Sequence, residues 1–131
     1  MSLNSALEGK SYPPVSFQVE PEHVARFSSA VGEDGSFVPP TFATAPEISA
    51  LAQVIADPEL GLDFARVVHS GQEYEWRRSL AASGTLSVTP RIVAVGAKGR
   101  HEFLTVETEM RDGAGELVVL ARNTLIVRGE A

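Results

Sequence analysis

The sequence contains no cysteine, which excludes disulfide bonds and thiolate chemistry. Basic charge is also scarce: Lys10 and Lys98 are the only lysines, and the net charge at pH 7 is −6. A nucleic-acid partner is not expected, because phosphate binding relies on clustered basic side chains. No apolar run reaches the roughly 18 residues of a transmembrane helix, so no membrane association is expected. The lack of cysteine is compatible with a cytoplasmic location, which we predict.

The length and composition are those of a globular protein. A chain of 131 residues, 44% of them hydrophobic, is large enough for one domain with its own core. We expect residues 9–131 to form that domain and residues 1–8 to be an N-terminal tail or a remnant of cloning.

Hydrophobic periodicity predicts two helices. The segment Pro21–Val31 is amphipathic, and a glycine follows it as a natural stop. The segment from about Thr44 to Ala56 is apolar nearly all round, which is typical of a buried helix. The face predicted to be buried consists of Ile48, Leu51, Ala52 and Ile55.

Period-two patterns predict the strands. The predicted strand segments are Tyr12–Val19, Val67–Arg78, Thr85–Val95, Phe103–Met110 and Leu117–Val127. The last two are joined by Asp112–Gly115, a strong hairpin signal. A long apolar helix followed by hairpin-connected strands predicts an α+β hot-dog fold, in which an antiparallel sheet wraps around one central helix.

The strand that begins near Val67 carries the most promising polar side chains. Strict alternation places His69 and Glu73 on one face, with Gln72 and Tyr74 on the other. His69 could act as a general acid or base oriented by Glu73, and Gln72 could bind a carbonyl group. The alternative is that His69 bonds to the backbone and Glu73 is solvated.

Metal and cofactor sites are not predicted. The three histidines, His23, His69 and His101, lack metal-ligand spacing and have no accompanying carboxylate cluster. The sequence contains no phosphate-binding loop, dinucleotide fingerprint or nucleophile elbow.

Several short stretches resemble the MaoC-like dehydratase N-terminal domain. They are Gly9–Tyr12, Val24–Phe27, Ala30–Gly32, Pro39–Phe42, His69–Tyr74 and Arg78–Leu80. The resemblance extends from about Gly9 to Arg128, and its most specific part is the Pro-Pro-Thr-Phe turn combined with the His-x-x-Gln-Glu-Tyr strand. It implies a dimerising hot-dog fold with an acyl-CoA or acyl-ACP thioester at the dimer interface. The substrate-binding candidates it implies are Pro40, Thr41, Phe42, His69, Gln72 and Tyr74.

The catalytic motif of the family is missing. Catalytic relatives carry Asp-x-Asn-Pro-x-His after the short helix, whereas residues 32–39 here contain neither histidine nor asparagine. The chain therefore resembles the non-catalytic subunits of heterodimeric (3R)-hydroxyacyl-ACP dehydratases. The remaining catalytic candidates are Asp34, His69 and Glu73.

Three functional hypotheses follow. The first is an auxiliary subunit of a (3R)-hydroxyacyl-thioester dehydratase or enoyl-thioester hydratase, which binds the acyl chain beside a catalytic partner. The second is a self-sufficient homodimeric hot-dog hydratase or thioesterase. The third is an acyl-thioester binding protein. None of them requires a cofactor.

Overall fold

The computed structural model describes residues 2–129, and the predicted helices and strand segments are confirmed. The two α-helices are α1 (Pro21–Ala30) and α2 (Thr44–Ile55), each one residue shorter than predicted. The strands are β1 (Val15–Val19), β2 (Val67–Trp76), β3 (Gly84–Lys98), β4 (His101–Arg111) and β5 (Leu117–Val127). A short 3-10 helix, Pro40–Ala43, leads directly into α2.

The five strands form one antiparallel sheet in the order β1-β3-β4-β5-β2, so the predicted α+β class is confirmed. The two edges of the sheet differ. β1 has five residues, and the part of β3 beyond it bonds to the N-terminal segment: the Tyr12 N–H donates to the Pro90 carbonyl at 3.0 Å. β2 has ten residues, and no strand within residues 2–129 pairs with its outer edge. The described part of the chain therefore has one long open edge.

Helix α2 presents a different face to the sheet from the one predicted. Glu47, Ala50, Leu51 and Val54 are buried, whereas Ile48 is 58% exposed. The prediction that Ile48 lies on the buried face is wrong, because α2 is rotated by one residue, about 100°, relative to that expectation. Apolar residues on both sides of an almost uniformly apolar helix do not fix its rotation, so the pattern alone could not distinguish the two orientations.

Strand β2 contains a bulge that corrects the predicted strand faces. Its register against β5 shifts between His69 and Gly71, and the extra residue, Ser70, donates a hydrogen bond to the Thr124 carbonyl at 3.3 Å. Because of this extra residue, His69 lies opposite Leu125 on the inner face of the sheet, the face shared by Gln72. The prediction that His69 and Glu73 share a face is therefore wrong.

The end of α2 is attached to the N-terminal segment by a small ionic cluster. The Asp57 carboxylate accepts hydrogen bonds from Lys10 Nζ and from the Tyr12 hydroxyl, both at 2.7 Å. These bonds, with that of Lys10 the strongest cause, lower the pKa of Asp57 to about 2. The cluster fixes residues 9–12 along the edge of β3 that β1 leaves uncovered.

Among residues 2–129, no helix has the length and apolar character needed to cross a lipid bilayer. The same residues contain no group of three or more His, Asp or Glu side chains placed to hold a metal ion.

Candidate functional site

Five polar residues meet between the N-terminal part of α2 and the inner face of the sheet. We call Thr44, Glu47, Gln72, Tyr74 and Asn123 the polar cluster. Glu47 lies one helical turn after Ala43, which precedes α2, and one turn before Leu51, and these two residues belong to separate hydrophobic clusters. The polar cluster therefore occupies the boundary between the two halves of the core.

Glu47 is the centre of the polar cluster. It is only 1% exposed, although it stands in the first turn of its helix. Its Oε2 accepts a hydrogen bond from Gln72 Nε2 at 3.0 Å, and its Oε1 accepts one from the Tyr74 hydroxyl at 3.2 Å. The hydroxyls of Tyr74 and Thr44 are 2.7 Å apart, so Thr44 donates when Tyr74 donates to Glu47. A helix residue and two β2 residues are thus held together by one carboxyl group.

The surroundings of Glu47 favour its protonated form. Burial raises its pKa, and the hydrogen bonds from Gln72 and Tyr74 and the charge of His69 oppose that rise only in part. Burial, with a contribution from Glu47, also raises the pKa of Tyr74 to about 12. A carboxyl group of raised pKa is suited to general acid or base chemistry, but in the single chain it is enclosed by its own donors.

The amide groups of the cluster are largely used within the protein. Gln72 Oε1 accepts from Asn123 Nδ2 at 3.1 Å, and Gln72 Nε2 lies 3.3 Å from the Arg122 carbonyl. Two buried oxygens beside this network, Asn123 Oδ1 and Thr108 Oγ1, have no hydrogen-bond partner among the described residues. The side chains of Gln72 and Tyr74, predicted to bind substrate, are therefore turned into the interior.

The other two predicted residues of β2 are exposed and lie on opposite faces. His69 is on the inner face, where its Nε2 is 3.0 Å from the Gly71 carbonyl oxygen. This is the backbone contact that was the alternative to a catalytic role. Glu73 lies on the outer face, where its Oε2 accepts from Arg122 Nη1 at 2.7 Å.

Asp34 and the Pro-Pro turn lie outside the polar cluster. The Asp34 carboxylate accepts a hydrogen bond from the Ser36 N–H at 2.9 Å within its own turn, and its contacts with Ser36 lower the pKa of Asp34. Pro40 and Thr41 are exposed, whereas Phe42 is fully buried. The Phe42 ring packs edge-on against that of Phe27, with a centroid distance of 5.5 Å.

Two adjoining cavities extend from Pro40 along the segment after β2. The first, of about 130 Å³, is lined by Val38, Pro40, Trp76, Arg78, Ser79 and Leu80. The second, of about 380 Å³, shares Arg78, Ser79 and Leu80 with the first and reaches Val19 and Leu86 in the core. Together they form a cleft with an apolar floor, which we call the Pro40 cleft.

A third cavity, of about 750 Å³, lies at the opposite end of the sheet, and none of the predicted site residues lines it. Its lining includes Arg66, Arg128 and His101, and these side chains bond to the protein. Arg66 Nε donates to the Arg128 carbonyl at 2.8 Å, and His101 Nδ1 accepts from the Gly129 N–H at 2.9 Å. The first contact holds the segment before β2 against the end of β5, and the second holds the start of β4 against the residues after β5.

The outer face of the sheet carries a straight row of four alternating charges. Arg91, Glu107, Arg122 and Glu73 lie directly opposite one another on β3, β4, β5 and β2. Their ion pairs measure 3.4 Å for Arg91–Glu107, 2.6 Å for Arg122–Glu107 and 2.7 Å for Arg122–Glu73. We call this set the charge row. It ends at the open edge of β2 with Glu73, whose side chain is 69% exposed.

Sequence reasoning did not find Glu47, because a glutamate in the first turn of a helix is ordinarily a solvated residue that favours the helix dipole. A signal was nevertheless present. The positions three, four and seven residues after Glu47 are Ala50, Leu51 and Val54, so the glutamate stands on an apolar stripe of the helix.

Comparison with known proteins finds relatives along most of the chain. The family model of the FAS1-like dehydratase domain region matches residues 34–121. A UPF0336 protein of Leifsonia xyli subsp. xyli is 37% identical over 145 aligned positions, which cover 98% of this chain and 97% of the relative.

Solved structures share the fold at lower identity. A chain of the C-terminally truncated HadBC (3R-hydroxyacyl-ACP dehydratase) complex from Mycobacterium tuberculosis superposes with a TM-score of 0.81 and 20% identity, covering 92% of this chain and 96% of that chain. A MaoC-like dehydratase also gives a TM-score of 0.81 at 20% identity, covering 95% of this chain and 43% of its own length. These similarities confirm the hot-dog fold.

Proposed function

This chain belongs to the family of the FAS1-like dehydratase domain region, and on that premise we propose that it is an auxiliary, non-catalytic subunit of a (3R)-hydroxyacyl-thioester dehydratase or enoyl-thioester hydratase. In this role it binds the acyl chain of an acyl-CoA or acyl-ACP at the interface with a second hot-dog subunit, which supplies the catalytic Asp and His.

The observation that carries this proposal is the state of residues 32–39. The segment that holds Asp-x-Asn-Pro-x-His in catalytic relatives contains no imidazole here. Its one aspartate, Asp34, is exposed, bonds within its own turn and has a lowered pKa, so it is ionised at neutral pH and is not suited to donate a proton. The histidine predicted as a candidate acid or base, His69, lies beside the Gly71 carbonyl on β2.

The surface beside β2 supports assembly with another subunit. Ile48 follows Thr44 by one helical turn, and Thr44 bonds to Tyr74 of β2, so Ile48 lies on the side of α2 that faces the open edge. On β2 itself, Val68 is 46% exposed. Exposed apolar side chains beside an unpaired strand are typical of an interface, since an uncovered edge otherwise promotes aggregation.

The Pro40 cleft supports acyl-chain binding. Its apolar floor of Val19, Leu80 and Leu86 suits an alkyl chain, and it begins at the Pro-Pro turn for which the family resemblance implies substrate contact. Pro40 is the predicted substrate residue that lines this cleft. Of the other predicted substrate residues, Gln72 and Tyr74 belong to the polar cluster and Phe42 to the core, so in this proposal they support the interface from within the protein.

The test is hydration of crotonyl-CoA and of a longer trans-2-enoyl thioester. The purified chain alone is expected to show negligible turnover, and the complex obtained by co-expression with a small hot-dog subunit containing Asp-x-Asn-Pro-x-His is expected to be active. Because one positioned acid or base contributes about 10²–10⁴-fold, the lone chain should be at least about 10²-fold slower. The catalytic subunit expressed alone and a complex lacking its motif histidine are the controls. Rapid turnover by the lone chain that His69→Ala abolishes would refute the auxiliary role.

A self-sufficient enzyme is the second candidate, favoured by one observation. Glu47 is a buried carboxyl group of raised pKa within electrostatic reach of His69, a combination found at catalytic sites. In that case the lone chain would hydrate or hydrolyse a thioester, and Glu47→Gln would remove the activity while the protein stayed folded. Activity that survives Glu47→Gln, or no activity in the wild-type chain, would exclude Glu47 as the catalytic group.

A further inference from the structure

The two inner members of the charge row have an opposite charge on each side, whereas its two ends differ: Arg91 is covered by Ser11 of the N-terminal segment, and Glu73 lies at the open edge. Arg122 is bound on both sides, by Glu107 and by Glu73, and these two carboxylates raise the pKa of Arg122. Glu73 has a basic neighbour on β5 only, because no strand within residues 2–129 lies on its other side. The alternation of charge across four strands therefore ends with an anion at the open edge.

A second copy of this chain does not continue the alternation. The outer face of β2 carries Val68, Gly71, Glu73 and Glu75, and none of them is basic. Antiparallel pairing of two β2 strands would place Glu73 opposite glycine or another glutamate in its central registers. Arg77, which follows the strand, lies directly opposite Glu73 only where the two copies of Glu75 face each other, and diagonally where Glu73 faces Glu75.

We propose that the open edge of β2 binds an edge strand of a different hot-dog subunit, one that carries a basic residue opposite Glu73, and that the same acidic face of β2 disfavours the homodimer. This inference rests on the proposed role of the chain as one subunit of a two-subunit dehydratase. The partner is defined by its chemistry: its exposed strand carries a basic residue on the outer face, and that residue extends the charge row by one member.

The role of this charge pattern is selectivity. Opposite charges directly across a strand pair are mildly stabilising, and like charges in the same positions are destabilising. A single exposed ion pair contributes little to affinity. The difference between a basic and an acidic neighbour at Glu73 and Glu75 is larger, because it combines the gain of one pairing with the repulsion of the other.

The experiment that needs only this chain introduces a base on the outer face of β2. Glu75→Arg places a guanidinium group where it reaches Glu73 of a second copy: directly where Glu73 faces residue 75, and diagonally where the two copies of Glu73 face each other. Its own cross-strand neighbour is Leu120, so no native ion pair is lost. Sedimentation velocity over a concentration series should show self-association at least about tenfold tighter than wild type at low salt, and high salt should reduce the gain.

The matched control is Glu22→Arg on the exposed first turn of α1, which changes the net charge by the same amount away from β2. Glu75→Lys is a second variant with the same expectation. Wild-type self-association already as tight as that of Glu75→Arg, or an equal gain in Glu22→Arg, would overturn the proposal.

A second measurement uses the complex with the catalytic subunit. Glu73→Gln with Glu75→Gln should weaken that complex by about two- to fivefold, the range of an exposed ion pair. Glu20→Gln with Glu22→Gln, also exposed, should leave it unchanged. An unchanged affinity in the first double variant would refute the basic partner strand. The self-association measurement does not involve thioester turnover, so its failure is distinguishable from failure of the proposed function.

Discussion

Replacing Glu47 with glutamine is expected to change how the stability of the protein depends on pH. Burial raises the pKa of Glu47 above its ordinary value of 4.5, so the folded protein holds this proton more tightly than the unfolded chain does. The sign follows from linkage: the contribution of the protonated group is fully present below pH 4.5 and is lost as the pH rises through the folded pKa. Glutamine imitates the neutral form and does not titrate, so its contribution is constant.

The expected magnitude has two parts. At pH 4 the wild-type carboxyl is neutral. The Glu47→Gln protein should then have an unfolding free energy about 1 kcal/mol lower than that of the wild type, because the new amide nitrogen must face a donor, either Gln72 or Tyr74. Toward pH 8 the wild-type protein loses about 1.4 kcal/mol of unfolding free energy, relative to Glu47→Gln, for each unit by which the folded pKa exceeds 4.5. The unfolding free energies of the wild type and of Glu47→Gln should therefore converge, or change order, as the pH rises.

The assay is urea unfolding of both proteins at several pH values between 4 and 8, at one fixed protein concentration. Trp76, the single tryptophan, is a suitable fluorescence probe, because its ring lies 6.1 Å from that of Tyr74 in the polar cluster. Glu22→Gln, in the exposed first turn of α1, is the matched control and should follow the wild type at every pH. A difference between wild type and Glu47→Gln that stays constant with pH, or that grows in favour of the wild type as the pH rises, would refute a raised pKa at Glu47.

Two further predictions concern the core and the acid stability. Leu51→Ala should lower the unfolding free energy by about 2–5 kcal/mol, because it leaves a cavity beneath α2. Ile48→Ala should change the unfolding free energy of the single chain by less than about 1 kcal/mol, because Ile48 is exposed. Equal losses for the two variants in urea unfolding would contradict the observed rotation of α2. Asp57→Asn should flatten the acid limb of the stability curve, because the lowered pKa of Asp57 gives a contribution that is present above pH 3.8 and is lost as the pH falls through about 2. Acid titration followed by circular dichroism measures this, and identical wild-type and variant acid limbs would show that the bonds from Lys10 and Tyr12 do not stabilise the ionised form.

The order of elements was predictable from the sequence because local periodicity determines it. The apolar spacing of α1, the long apolar segment of α2 and the alternation in β5 each depend on residues close in the chain. The hairpin at Asp112 was predictable for the same reason: the Asp112 side chain accepts from the Ala114 N–H at 2.9 Å, a contact that short polar residues make within a turn.

The details of the candidate site depend on contacts that no local pattern reports. The rotation of α2 is set by packing against strands distant in the chain. Gln72 and Tyr74 follow Glu47 by 25 and 27 residues, so the burial of Glu47 becomes evident only once they are placed beside it. Alternation in β2 was also misleading, because a strand pattern counts residues and a bulge changes the count.

Because of the bulge at Ser70, counting residues along β2 does not show which face of the sheet each side chain lies on. Since Ser70 is the extra residue, a relative that lacks it would still place the preceding histidine on the inner face and the following glycine on the outer face. Deletion of Ser70 alone is therefore expected to leave the faces of the residues on either side of it unchanged. In a relative without this extra residue, the position equivalent to His69 is therefore identified by its strand neighbour, which is Leu125 here, and not by its distance from Glu73.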